Sequence, residues 1–279
     1  MSSAQPAYPI VEWLSSVERL TYAEYWNSET EERTKPFWVL DGDFGRMERY
    51  LADNGFPAQL DECVRIAHER FGRVVGGVGC DLGAGSLWAV PRLLRLGTIE
   101  RIYCVEYSKH RLLKLGPAVL EHYGVSPDSV VLALGDLHEL RVPSATCDFV
   151  FLSAAFHHSD RPSELLKEIR RVLKPAGVVL ILGEHITDAG LKQRVRHMAK
   201  FVVSRTLPAR VQRRVIGRRL VVERFFPTES DLLVGDDRMG DHAYTREQYF
   251  EMFAAAGFRA ECLRRSAWVF QAFVLAPSP

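Results

Sequence analysis

Apolar positions in this chain change their spacing three times. Over 9–29, Ile10, Trp13, Leu14, Val17, Leu20 and Tyr25 recur mostly at helical intervals, which predicts a helix. A second amphipathic helix is predicted over 58–71, ending near Gly72, and Asp41-Gly42-Asp43 between them marks a turn. From 75 onward the pattern alternates. The runs 75–82, 101–106, 129–134, 147–152 and 177–182 are short and almost continuously apolar, as strands buried on both faces are. Between them 87–96, 109–123 and 163–173 read as helices, the first two stopped by Gly97 and Gly124, the third followed by Lys174-Pro175. A helix over 246–256 and strands over 258–264 and 268–275 close the chain. This succession predicts an α/β fold, a Rossmann-like, mainly parallel sheet with helices on both faces.

The segment 190–226 breaks the alternation. Leu191, Val195, Met198 and Val202, then Val211, Val215 and Ile216 after Pro208, suit amphipathic helices. The expected organisation is a helical N-terminal lid or cap over 1–72, a core formed by 73–189 with 244–279, and a basic helical insertion over 190–243 as a substrate cap.

One loop carries the first chemical signal. Gly79-Cys80-Asp81-Leu82-Gly83-Ala84-Gly85-Ser86 reads as strand, tight turn and helix start, the unit that brings backbone amides close to a nucleotide-like ligand. Glu106 ends the next strand, where a carboxylate can accept from ribose hydroxyls, and Asp136 follows the strand after that. A nicotinamide dinucleotide fingerprint needs a glycine three positions after Gly85, where this chain has Trp88.

Composition narrows the class. With 279 residues, 47% hydrophobic and 25% charged, the chain is long enough for one large domain with an insertion. The net charge of +1 implies no global pull on nucleic acid, but it is unevenly spread: 191–224 holds eleven Lys or Arg against Glu223 alone. No run of eighteen apolar residues exists, and 1–9 lacks the pattern of a signal peptide. Cys63, Cys80, Cys104, Cys147 and Cys262 form no CxxC pair and are expected as reduced thiols of a cytoplasmic protein.

Over about 75–277 the chain resembles class I S-adenosylmethionine-dependent methyltransferases, in their small-molecule, type 11-like branch. The matching pieces are Asp81–Gly85, Glu106, Gly135-Asp136-Leu137, the 147–152 strand, His157-His158, Leu165–Gly177 with its specific run from Leu166, and Tyr244–Phe258 with its closing Ala256-Gly257-Phe258. The resemblance implies a seven-stranded sheet with its last strand antiparallel. It implies that Asp81, Gly83, Ala84 and Gly85 approach the methionine part of the cofactor, that Glu106 binds the ribose, and that Asp136 and Leu137 meet the adenine. Tyr107 and Ser153 complete the implied cofactor set. One departure is Leu87, where many members have a third glycine. A sulfonium cofactor with an amino-acid tail suits these acids and free amides.

The resemblance maps the acceptor side to His157, His158 and Glu184. His185 and Asp160 lie in the same two loops, after the fourth and fifth predicted strands. An alcohol acceptor loses a proton, so either histidine could serve as base, with Glu184 orienting it or the acceptor. Asp241 and His242 add metal-capable types, but no compact ligand spacing is present and no metal is expected. Trp13, Tyr22, Tyr25, Trp26, Phe37 and Trp38 could wall off a sulfonium as a lid. The densest basic cluster, Arg213, Arg214, Arg218 and Arg219, could be a solvated face, bind an anionic acceptor, or rest on an anionic membrane.

The function expected is methyl transfer to an oxygen of a small polar, glycosylated or natural-product acceptor. N-methylation of an amine or amino sugar, a non-catalytic cofactor-binding subunit, and nucleic-acid methylation are the alternatives. The last lacks an Asn/Asp-Pro-Pro-Tyr-type motif: Ser153-Ala154-Ala155-Phe156 stands in its place. The oligomeric state is open.

Overall fold

The apolar run that precedes the glycine loop is the strand Gly77–Leu82 (β2), and it lies near the middle of an eight-stranded sheet. The computed structural model describes residues 8–14, 26, 43–186, 191–216, 225–226, 241–242, 244–263 and 270–279. The remaining strands are Ile10–Glu12 (β1), Ile99–Glu106 (β3), Val130–Leu134 (β4), Cys147–Ser153 (β5), Leu173–Glu184 (β6), Phe258–Leu263 (β7) and Gln271–Pro277 (β8). Their order is β1-β4-β3-β2-β5-β6-β8-β7. β8 runs antiparallel to both of its neighbours, and the other pairings are parallel.

The strands look continuously apolar because both of their faces are buried. Phe149, Phe151, Val178, Leu180 and Leu182 face one core. Val150, Leu152, Val179 and Ile181, their alternates, face the other. The first core is closed by the helices Phe56–Phe71 (α2), Val90–Leu94 (α3) and Gly116–His122 (α4), through Leu60, Cys63, Leu93 and Leu120. Pro162–Val172 (α5) and Arg246–Ala255 (α8) close the second, through Leu166, Ile169, Tyr249 and Phe253. Phe44–Asp53 (α1) packs Met47 and Leu51 beside Phe56. Leu191–Thr206 (α6) and Ala209–Ile216 (α7) form the described part of the basic segment.

The sheet has eight strands where seven are expected. Residues 10–12 are strand, not the start of a helix: Ile10, Val11 and Glu12 pair in register with Leu132, Ala133 and Leu134. The free backbone edge of β4 takes up a β-branched segment more favourably than an isolated helical turn forms. Most of the remainder of 9–29 lies outside the described residues. The helix expected over 87–96 shrinks to Val90–Leu94 because Leu87 adopts a left-handed backbone, φ 62°. The helix expected over 109–123 begins as a π turn, Arg111–Leu115, before α4. Pro117 has no N–H to donate back and crowds the preceding turn, which loosens the helix there. The predicted Asp41-Gly42-Asp43 turn leads into α1, for which Asp43 is the N-cap, its Oδ1 accepting from the Arg46 N–H at 2.9 Å.

The sequence signature 166–177 is scaffolding. Glu168 accepts from the Leu140 N–H at 2.7 Å and from Arg171. Arg171 also donates to the carbonyls of Leu140 and Val142, both at 2.8 Å. Lys174 donates to both oxygens of Asp148 at 2.8 Å, and Asp148 in turn accepts from the Val78 N–H at 3.0 Å. These bonds tie α5, β5 and the start of β2 together.

Candidate active site

The strand order reverses at β2, with β3 on one side and β5 on the other. The loops after β2, β3, β4, β5 and β6 therefore open at one edge, as at the switch points where α/β sheets hold ligands. A cavity of about 220 Å³ lies there. One part of its wall is Gly83–Ser86, Glu106, Tyr107, Leu137 and Ser153. The other includes His157, His158, His185, Asp241 and an aromatic rim of Trp26, Tyr50, Phe56, Trp88 and Phe270.

Gly83 and Gly85 have positive φ, 66° and 56°, and a Cβ on Gly83 would come 2.7 Å from the Ala155 Cβ. Only bare backbone fits that turn. Glu106 holds it from behind: its Oε2 accepts from the Gly85 N–H at 2.7 Å and its Oε1 from the Ser108 N–H at 2.8 Å. Each oxygen keeps a second lone-pair direction for a hydroxyl donor. Asp81 is buried behind the wall, and desolvation together with the Glu106 charge pushes its carboxyl up to about 8. Asp136 also lies behind the lining. Its Oδ1 meets His138 Nδ1 at 2.6 Å and its Oδ2 meets Arg161 at 3.2 Å. Burial opposes ionisation there, but the His138 hydrogen bonds and the Arg161 charge hold its carboxyl below the usual range. Leu137 and His138 form the wall in its place.

The opposite wall holds a buried polar relay. Glu184 ends β6 with no solvent exposure. Its Oε2 accepts from the Tyr249 hydroxyl at 2.8 Å, and its Oε1 faces His157 Nδ1 at 3.2 Å. Burial disfavours the His157 imidazolium, but Glu184 outweighs it and the ring's pKa is raised. His158 is the reverse case. Burial and the neighbouring His157 push it down to about 4, against the pull of Asp241, whose Oδ1 lies 3.0 Å from its Nδ1. His185 is also lowered, by its enclosure in the wall and by His157. The segment carrying Asp241 is tied to this loop by a bond from the His242 N–H to the His157 carbonyl, 2.8 Å.

Several wall residues carry no mark in the linear pattern. Met47, Tyr50, Phe56 and Phe270 read as ordinary apolar positions and Arg111 as a helix-surface cation, and Tyr249, which supports the wall through Glu184, reads as core. Trp13 packs against Tyr103 and over Gly135, in the sheet layer rather than as a lid. Trp26 reaches the cavity, edge-on to His158 at 4.8 Å between centroids and under the Arg111 guanidinium. Tyr22, Tyr25, Phe37 and Trp38 lie outside the described residues, as do Arg218, Arg219 and the Arg213 side chain; Arg214 is exposed on α7.

Residues 80–181, from the glycine loop to the middle of β6, match the family model described as the methyltransferase domain. Over these residues the chain carries a methyltransferase domain. A curated relative, an uncharacterised chloroplastic methyltransferase of Arabidopsis thaliana, is 29% identical over 127 residues, which are 45% of this chain. That match spans only 36% of the relative's own length. An S-adenosylmethionine-dependent methyltransferase of Leishmania major shares the fold with a TM-score of 0.57 at 13% identity, over 91% of this chain and 80% of its own. The 1,6-didemethyltoxoflavin N1-methyltransferase of Burkholderia thailandensis, solved with its toxoflavin precursor and S-adenosylhomocysteine, aligns with a TM-score of 0.52 at 16% identity, over 85% of each chain. In this methyltransferase domain the glycine turn, the spare lone pairs of Glu106 and the apolar Leu137 suit an adenosine-based cofactor. Four of the five cysteines are buried, and all five are free thiols.

Proposed function

We propose that the protein transfers a methyl group from S-adenosylmethionine to a hydroxyl oxygen of a small polar, glycosylated or natural-product acceptor. The observation that carries this reading is the buried Tyr249–Glu184–His157 relay, whose His157 end lines the cavity. The bound cofactor supplies an electrophilic methyl on a positively charged sulfur. Gly83–Gly85 and Glu106 would hold its amino-acid and ribose parts, with Tyr107, Ser153 and Leu137 around them and the Asp81 and Asp136 carboxyls acting from just behind that wall.

Most of the rate can come from holding the acceptor oxygen in line with the methyl. The aromatic rim of Trp26, Tyr50, Phe56, Trp88 and Phe270 covers the acceptor's apolar face and excludes water. Glu184 occupies Nδ1 of His157, which leaves Nε2 to take the hydroxyl proton as the carbon–oxygen bond forms and the carbon–sulfur electron pair returns to sulfur. The imidazolium that results is stabilised by Glu184, which Tyr249 holds in place.

The experiment is labelled-methyl transfer into a source extract and into hydroxylated acceptors, with the product identified by mass. His157→Ala is expected to lose at least about 100-fold in turnover while keeping cofactor affinity. Full turnover in that variant, with the label on nitrogen, would replace the reading by N-methylation of an amine, which reaches the site already neutral. Cofactor binding without transfer would point to a regulatory subunit.

A further inference from the structure

We propose that His157, His158 and Asp241 form a binding site for one divalent transition-metal ion, with its open coordination positions facing the acceptor side of the cavity. One nitrogen from each histidine and one Asp241 oxygen lie within 4.8 Å of one another, and all three residues line the cavity. Two imidazoles and a carboxylate are a donor set for borderline zinc, the carboxylate also suits the harder manganese, and three protein ligands leave room for an exogenous oxygen.

The surroundings favour a cation. The Glu184 carboxylate, with no solvent exposure, and the Asp241 carboxylate stand directly beside the two histidines. Glu184 faces Nδ1 of His157, which would leave Nε2 for the ion, and Tyr249 stands behind Glu184. A carboxylate on the outer nitrogen is the usual support of a metal-bound histidine, fixing its tautomer and orientation. Asp241 arrives from a distant segment, locked to the loop by the His242–His157 backbone bond and by the bridge between Ile186 and Tyr244. The linear spacing therefore does not show the trio.

An ion here would bind the acceptor's hydroxyl oxygen directly, favouring acceptors with a second oxygen on the adjacent carbon to share the coordination. It would acidify that hydroxyl, whose proton would pass to water as the oxygen joins the ion. It would also take the His157 nitrogen that a metal-free mechanism uses for the proton, so the two roles exclude each other. This use of the ion rests on the O-methylation reading, whereas its binding does not.

The test is equilibrium dialysis and calorimetry of chelator-treated full-length protein with zinc and, separately, manganese ions. One equivalent is expected to bind, with affinity about 100-fold weaker in His158→Ala and in Asp241→Asn, and about 10-fold weaker in Glu184→Gln. S-adenosylmethionine affinity and circular dichroism, kept as in the wild type, certify that the variants are folded. No stoichiometric uptake by the wild type, or uptake that both ligand variants leave unchanged, overturns the site and leaves His158 and Asp241 as a plain polar contact. Metal-free protein that still methylates hydroxyls at the full rate overturns the ion's use but not the O-methylation reading. Specific metal uptake with no hydroxyl methylated does the opposite.

Discussion

At the residue scale, Asp81 is the group whose charge state changes most between solvent and fold. A carboxyl pushed up to about 8 is protonated at neutral pH, while the unfolded chain's is ionised. The native state thus binds the extra proton, and this residue makes the free protein lose stability as pH rises from about 4 to 8. A cationic amino group placed beside it reverses the balance. S-adenosylmethionine binding at pH 7 is therefore expected to release a proton, with affinity rising up to about tenfold per pH unit until near pH 8. Calorimetry in buffers of different ionisation heat measures that proton, and Asp81→Asn should abolish both effects.

His157 carries the second pH signature. Its pKa is raised above the ordinary imidazole value, and a base works only when deprotonated. The rising limb of the rate profile is expected above pH 6.5, the ordinary imidazole value. Glu184→Gln removes the stabilising charge, so the limb moves to lower pH while the plateau falls about 10- to 100-fold. Tyr249→Phe leaves the charge in place and frees the carboxylate to swing. A loss of turnover with little movement of the limb is the outcome expected of a positioning residue, read from turnover against pH.

Leu87 adopts the left-handed backbone that glycine favours, at a cost of about 1–2 kcal/mol. What offsets that cost is complete burial of its side chain. Gly116 makes the room: a Cβ there would lie 2.6 Å from the Leu87 Cδ1. Gly116→Ala is expected to destabilise by about 1–3 kcal/mol in denaturant unfolding, and by clearly less in a Leu87→Ala background. Equal costs in both backgrounds would show that the two residues do not share the space.

At the element scale, the segments that made the family resemblance specific are not those that do the chemistry. Glu168, Arg171, Lys174 and Asp148 pin helix α5 and its neighbouring strands. Their signal is legible because hydrogen bonds at fixed helical offsets demand fixed residue types. Strand β1 was illegible for the opposite reason. Ile10 and Val11 favour the extended form, but three residues within a helically spaced run are too few to read as a strand, and the edge of β4 decides it. Helices α6 and α7 keep an unusual surface. Val195, Val202, Leu207 and Val211 are exposed beside the exposed Arg194, Arg196, Arg205, Arg210 and Arg214. No helix among the described residues is long and apolar enough to cross a membrane. A surface of this kind is expected to co-sediment with vesicles rich in phosphatidylserine at low salt and to release at high salt. Absence of binding at low salt would leave these arginines to solvent or to an anionic acceptor.

At the scale of the whole molecule, periodicity and the glycine loop determined the α/β class, the parallel strands and the edge of the sheet at which a ligand sits. They could do so because strand burial, turn geometry and backbone approach are local demands that restrict residue type at short range. Asp81, Glu106 and Asp136 were legible as strand-end acids for the same reason. Only the tertiary structure decided which of them face the cavity, because that depends on partners such as Gly85, His138 and Arg161, supplied from elsewhere in the chain. It alone joined Tyr249 to Glu184 and Asp241 to His158, residues 65 and 83 positions apart in sequence. Packing, not spacing, sets such distances, and the chemistry of the acceptor side rests on them.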